Sequence, residues 1–310
     1  MVPEAGAAAG AGYQRAGRGG NTENTEPALS TAAVERFRAR VYADYRLHQR
    51  VLEWRTTRDP YAILVSEVML QQTQVARVVR YYPRFLGRFP DPATLARAPL
   101  RAVLEQWSGL GYNRRAQALQ RAAQVLVRDH GGSVPADRAA LQRLPGVGPA
   151  TAGALLAFAF EQPVVFIETN IRRVFLDQFF PSATTVPDRA LLPLVACTLD
   201  RAHPRRWYYA LMDSGAALGR RGPNPNRRSA HYTRQSPFAG STRQLRGLVL
   251  RLLTERRCLS SAELRRWCTA GELPGASAAR LAAVVDALVA ERFLQRRGTQ
   301  VCIAEEIAEN

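Results

Sequence analysis

The sequence predicts an all-α protein that closes in a small module of three helices and a β-wing. Three observations carry this reading. From Thr31 to about Pro204, apolar residues recur at the three- and four-residue spacing of helices with a buried face. The breaks between them hold glycine and proline, near Arg88–Pro92, Gly109–Gly111, Gly131–Pro135 and Pro145–Gly148. Runs of alternating polarity, the mark of half-buried strands, are scarce in the same span.

Residues 1–30 are rich in Ala, Gly, Asn, Thr and Glu without apolar periodicity, and read as a disordered leader. Residues 31–218 form the helical domain. Residues 219–241, GRRGPNPNRRSAHYTRQSPFAGS, are polar, basic and turn-rich, as expected of a connection. Residues 242–310 form the last module. Leu245, Leu248, Val249 and Leu252 mark its first helix. Ser260 to Glu263 offer a capping box for a second, with Leu264 and Trp267 inside it. Leu281, Val284, Val285 and Leu288 mark a third, and Arg297-Gly298-Thr299 turns a hairpin after it. This is a winged-helix-like order, which places its third helix in a DNA major groove; a plain helical cap on the first domain is the alternative.

The chain of 310 residues carries a net charge of +17 and a pI near 10.9. Such an excess favours a polyanion, because neutralising phosphates releases their counterions. Nucleic acid is the partner class this implies, although a genome biased toward arginine codons would also raise the charge. All 43 basic residues are arginine. Without lysine, no side-chain amine is available to form a Schiff base with a sugar. No apolar run reaches the length of a membrane span and the start lacks the order of a secretory signal, so a cytoplasmic, nucleoid-associated monomer is expected. Cys197, Cys258, Cys268 and Cys302 lack metal-binding spacing and are expected as reduced thiols.

Leu141–Phe160 is the most informative local segment. A helix should end at Leu144, Pro145-Gly146-Val147-Gly148 makes a tight turn, and Pro149 suits the first position of a new helix. Glycine lets the backbone approach a ligand, and the N–H groups of the new helix favour an anion such as a DNA phosphate. An ordinary turn between two helices is the alternative reading.

Two acids flank this hairpin in sequence. Asp59 and Pro60 start a helix in which Tyr61 to Leu70 is apolar apart from Ser66 and Glu67. Glu67 is therefore expected to be buried, and desolvation would let it hold a proton near neutrality and donate it. A structural ion pair with an arginine is the alternative. Glu168 follows the extended apolar run after Pro163, just before a basic helix. It is either a second carboxylate on the same cavity or a dipole partner for a helix capped by Thr169 or Asn170.

Six blocks in order resemble the MutY family of adenine glycosylases, within the helix-hairpin-helix DNA glycosylase superfamily: WRTTRDPY (54–61), SEVMLQQTQV (66–75), WSGLGYNRRAQAL (107–119), LPGVGPATAG (144–153), ETNIRRV (168–174) and ALMDSGA (210–216). The resemblance implies the helix-hairpin-helix glycosylase fold, a double-stranded DNA partner carrying a mispair or lesion, and a target base flipped out of the stack. It makes Glu67 the acid that protonates the base, Glu168 the group that stabilises or traps the sugar cation, and Asn170 the residue that orients them. Trp54, Arg55, Ala150 and Tyr209 would line the base pocket. Gln71, Gln72, Tyr112, Gly146, Val147, Gly148 and Thr151 would face DNA, with room for a monovalent cation at the hairpin.

The chain also departs from that family. Glu168 stands where Asp is usual, Ala150 where lyase members have Lys, and Tyr209 where Glu or Gln meets the adenine edge. The resemblance therefore implies a monofunctional enzyme acting on adenine opposite guanine or 8-oxoguanine. A thymine or uracil glycosylase acting opposite guanine, and a non-catalytic DNA-binding protein on the same scaffold, are the alternatives. The four cysteines that usually follow ALMDSGA and hold a [4Fe-4S] cluster are missing, so no cluster is expected. The family's usual C-terminal domain for 8-oxoguanine is also replaced.

Overall fold

A computed structural model describes residues 29–268 and 277–304. Most of the expected leader, residues 1–28, lies outside that span. Eleven helices precede the connection: α1 (Thr31–His48), α2 (Pro60–Leu70), α3 (Val75–Arg88), α4 (Pro92–Arg97), α5 (Leu100–Trp107), α6 (Arg114–His130), α7 (Arg138–Arg143), α8 (Pro149–Phe160), α9 (Thr169–Phe179), α10 (Asp188–Thr198) and α11 (Pro204–Arg221). Then come α12 (Thr242–Arg256), β1 (Cys258–Ser260), α13 (Ser261–Trp267), α14 (Ala278–Ala290), β2 (Leu294–Arg297) and β3 (Gln300–Ile303). Among the described residues no helix is long and apolar enough to cross a membrane.

Local chemistry starts these helices. Asp59 accepts from Tyr61 N at 3.0 Å with Pro60 in the first turn of α2, and Asp137 accepts from Ala140 N at 2.7 Å to cap α7. α2 and α8 are buried nearly all round and pack against each other at the centre. A Cβ on Gly153 of α8 would lie 2.4 Å from the Phe166 Cβ, so the bare backbone there lets the extended run after Pro163 close against the helix. α9 lies along α11 with similar intimacy: a Cβ on Gly215 would come within 2.3 Å of the Asn170 carbonyl oxygen.

The last module has the expected three helices, capping box and hairpin. Ser260 accepts from Glu263 N while the Glu263 carboxylate accepts from Ser260 N. Its periodicity did not reveal the short strand β1, which pairs antiparallel with β3 in a sheet ordered β1-β3-β2. That pairing corrects the expectation of reduced thiols. Cys258 stands opposite Cys302 in register, and the two form a disulfide. Sequence spacing gave no hint, since 44 residues separate them.

α14 does not present a base-reading face. Its fully exposed positions are Ala278, Ala279, Ala282, Ala283, Asp286, Ala287 and Ala290, and its one arginine, half-exposed Arg280 in the first turn, donates to the Gly240 carbonyl. The module instead docks on the first domain. Glu291 takes Arg114 and Arg246 through paired hydrogen bonds, and these two guanidinium groups draw its carboxyl down to about 2 against the effect of burial. Gln117 Nε2 donates to the carbonyls of Glu291 and Arg292, and Arg101 Nε to that of Thr254.

Candidate active site

Glu67, near the end of α2, and Glu168, at the start of α9, lie close enough for the charge of one to act on the other. Glu67 sits in the last turn of α2, and its carboxyl is pushed up to about 8, first by burial and then by the negative charge of Glu168, with Arg55 opposing. Among the described residues no group donates a hydrogen bond to it. It is a carboxyl left free to carry a proton.

Glu168 is held quite differently. It is itself the cap of α9, accepting from Asn170 N at 2.7 Å and Ile171 N at 2.8 Å; this corrects the reading in which Thr169 or Asn170 supplied the cap. Burial raises its pKa, while those N–H groups and the charges of Arg172 and Arg173 oppose the rise. The net shift is upward, and its three hydrogen bonds are all accepted ones, from Asn170 N, Ile171 N and Asn170 Nδ2, which favour the ionised form against burial.

Asn170 completes the set. Its amide Nδ2 donates to Glu168 Oε2 at 3.3 Å, while its Oδ1 accepts from Arg173 at 3.0 Å, so the arginine dictates which end of the amide faces Glu168. Arg173 was missed in the sequence. The signal was present, since it lies three residues after Asn170 on one helix face.

The pocket residues separate into wall and frame. The Tyr209 ring stacks on Phe158 at 4.4 Å between centroids, and the Arg55 guanidinium lies 4.5 Å over its other side. Burial pushes the Tyr209 phenol up to about 12. Arg55 is fixed by Asp213, a second residue that sequence reasoning passed over although it lies inside ALMDSGA. Trp54 is a core residue, buried edge-on against Tyr82 at 5.4 Å. Ala150 opens α8 beside the turn.

A second group gathers around the end of α2 and the turn before α6. Gln72 (φ 55°) and Tyr112 (φ 48°) both hold left-handed backbone conformations at exposed tips, an arrangement that strains a residue with a side chain and concentrates at functional positions. One residue ties the tips together. Arg115, nearly buried, donates to the carbonyls of Val68, Met69 and Gln71 below one tip, to Thr73 Oγ1, and to the carbonyl of Gly111 below the other. Every one of these acceptors is a carbonyl or a hydroxyl. The Tyr112 ring lies 5.4 Å from its guanidinium.

Gln71 Nε2 reaches the Gly146 carbonyl and Thr151 Oγ1, both at 3.2 Å, linking the end of α2 to the hairpin. Gly146 turns with φ 80°, and Gly148 leads into α8 without a side-chain cap, which leaves first-turn N–H groups for an anion. Val147 points inward, buried, with its N–H donating to the Leu144 carbonyl. Its side chain anchors the turn.

The residues after α11 do not fit a four-thiolate cluster. No cysteine lies between Cys197 and Cys258, two of the four cysteines are joined to each other, and among the described residues no three His, Cys, Asp or Glu side chains converge on a metal position. Amide and guanidinium groups organise the segment instead. Asn224 caps a short 3₁₀ turn over Pro225–Arg228, and Arg228 O and Ala230 N bracket Val186 through hydrogen bonds of 2.7 and 2.9 Å. From Ser214 to Thr254 the chain carries eight arginines and no acid. Within that run residues 230–240 are exposed throughout, including the aromatic rings of Tyr232 and Phe238, and Gln235 and Arg243 both donate to the Tyr112 hydroxyl.

Residues 65–190 match the HhH-GPD superfamily of base excision DNA repair proteins. An adenine DNA glycosylase of Mycolicibacterium smegmatis is 35% identical over 225 residues, covering 67% of this chain and 76% of that protein. The one from Buchnera aphidicola is 35% identical over 174 residues, or 55% of this chain and 49% of the relative, so the chain spans about half the length of that relative. Among solved structures, a thermostable thymine-DNA glycosylase superposes with a TM-score of 0.55 at 27% identity, over 62% of this chain and 90% of its own.

Proposed function

Because the chain belongs to the adenine DNA glycosylase family, we propose that it hydrolyses the N-glycosidic bond of a mispaired base flipped from duplex DNA, adenine opposite guanine or 8-oxoguanine. The observation that carries this reading is the contrast between Glu67 and Glu168. Burial pushes the Glu67 carboxyl up to about 8 with no described group donating to it, whereas Glu168, also raised by burial, accepts from Asn170 N and Ile171 N and is faced by the charges of Arg172 and Arg173, which favour its ionised form.

In this mechanism Glu67 gives its proton to the base ring and the glycosidic bond breaks, its electron pair leaving with the base. Glu168 faces the sugar cation. Water then adds to the sugar, and its proton returns to Glu67. With no lysine in the chain and Ala150 beside the hairpin, the reaction stops at the abasic site without a backbone nick.

Duplex DNA is the partner this reading requires. The hairpin would hold phosphate, Gln72 and Tyr112 would enter the space left by the flipped base, and the acid-free run of arginines would follow the backbone. A second substrate, thymine opposite guanine, is favoured by Tyr209 in place of an acid or amide and by the likeness to a structure described as a thymine-DNA glycosylase.

The test is incubation with labelled duplexes holding A:8-oxoG, A:G, T:G, U:G or matched pairs, followed by hot alkali. Breaks at adenine only after alkali are expected. Breaks at thymine or uracil instead would replace the substrate, breaks without alkali would overturn the lyase-free mechanism, and binding without any breaks would leave only a DNA-binding scaffold.

A further inference from the structure

We infer that the cysteine-free segment after α11 is a brace that positions Glu168, acting through Asn224, Arg173 and Asn170 as three linked positioning residues. The inference rests on the glycosidase reading for the role of Glu168, and on the geometry alone for the brace.

The segment grips α9 along its whole length. At the first turn, Asn226 Nδ2 donates to the Thr169 carbonyl at 3.0 Å. In the middle, Arg173 Nε donates to Asn224 Oδ1 at 3.1 Å. At the far end, the Arg228 guanidinium donates to the Pro181 carbonyl at 3.0 Å and, at 3.1 Å, to the Leu176 carbonyl, which also accepts from Phe180 N.

The middle contact is the one that reaches the chemistry. Arg173 has a planar fork, and each arm has its own acceptor: Nε meets Asn224, and one terminal nitrogen meets both Asn170 Oδ1 at 3.0 Å and the Gly215 carbonyl at 2.6 Å. With the fork fixed, the Asn170 amide cannot turn over without setting its NH₂ against the guanidinium. Its Nδ2 is thereby held toward Glu168. Asn224 itself is pinned by accepting from Asn226 N at 3.1 Å. Space is closed on the far side too, since a Cβ at Gly219 would meet Arg173 at 2.7 Å.

This assigns work to residues that lack the thiolates expected at this place in the family. A hydrogen-bonded turn, rather than a bound cluster, ties the end of α11 back to the helix carrying the second carboxylate. Charged groups around Glu168 are Glu67 from α2 and Arg172 and Arg173 from its own helix. Freeing Arg173 loosens a donor on the ionised form of Glu168 and favours its protonated form.

The experiment compares the full-length wild type with Asn224→Ala and Asn224→Asp. The Glu168 carboxyl is titrated by carbon NMR on protein labelled at glutamate, its signal identified by its loss in Glu168→Gln. Base release under single-turnover conditions is followed against pH in parallel. Asn224→Ala is expected to move the Glu168 titration upward and slow base release about tenfold on the acid side, with the alkaline side unmoved. Asn224→Asp, which keeps an acceptor for Arg173, is expected to titrate like the wild type. An unchanged Glu168 titration in a folded Asn224→Ala protein overturns the brace. So does an equal loss at every pH in both variants, the mark of general destabilisation. If the wild type releases no base, the glycosylase reading fails while the titration still decides the brace.

Discussion

The guanidinium of Arg55 meets the carboxylate of Asp213 through two hydrogen bonds of 2.8 Å each. Arg50 adds its backbone N–H at 2.9 Å and its Nε at 2.6 Å to the same carboxylate. Burial by itself would raise the Asp213 carboxyl, but these donors prevail and hold it below the usual range. The pair is a frame for the pocket, since Arg55 also covers the Tyr209 ring.

Asp213→Ala should therefore leave a buried arginine without its counter-charge and with only the Arg50 carbonyl as acceptor, at a cost of about 3–5 kcal/mol. Urea unfolding of the variant checks this. A loss well under 1 kcal/mol would mean that the guanidinium finds water instead.

Glu67 predicts a pH profile of defined sign. Its carboxyl titrates at about 8 in the folded protein against 4.5 unperturbed. As the proton donor it is competent below that value, so base release should fall as pH rises through about 8. Protonation of Glu168 should slow it again on the acid side. The two limbs belong to the coupled pair. Glu67→Gln is expected to lose about 10²–10⁴-fold in rate while still binding DNA. Stability runs the same way: the folded state binds the extra proton, so this group's contribution declines from pH 4.5 upward until about 8. Glu67→Gln should remove that decline, which thermal melts between pH 5 and 8 would reveal.

Arg115 joins two strained tips with one guanidinium, and lysine cannot reproduce that fork. Arg115→Lys should misplace Gln72 and Tyr112 and slow base release from a duplex by about 100-fold. A target base facing a gap needs less help to leave the stack, so the defect should shrink there. Fluorescence of 2-aminopurine at the target position follows the extrusion directly. An equal defect on both substrates would reduce Arg115 to a fold residue.

The Cys258–Cys302 bond closes a loop across the last module. For a separation of 44 residues the loop-closure estimate is about 4 kcal/mol of stabilisation. Cys258→Ser, or reduction, should make β1, α13 and the wing open ahead of the first domain. Limited proteolysis with and without reductant tests this, and identical cleavage would refute it.

How far the sequence could be read depended on how local each signal was. Asp59-Pro60, Ser260 with Glu263, and the turn at Gly146 are short-range devices, and each appears where its residues imply. Glu67 was legible because one acid in an apolar helix has few innocent explanations. Asp213 and Arg115 were not, and of the contacts of Arg173 only the one to Asn170, three residues away, had a local signal. Partners that lie 158 residues from Asp213, 47 from Arg115 and, for Asn224, 51 from Arg173 leave no period in the chain. The disulfide was hidden for the same reason, by a strand of three residues whose only evidence is its partner.

Gly215 extends the site's mutational footprint beyond the residues that do chemistry. Its missing side chain is what allows α11 to lie against the Asn170 backbone. Even alanine there would have to shove α9 outward, dragging Glu168 and Asn170 with it. A scan of tolerated substitutions should accordingly show a forbidden position on the back of the site as unforgiving as the acid at its front, and inheritance of the proposed activity would constrain both faces of one helix pair.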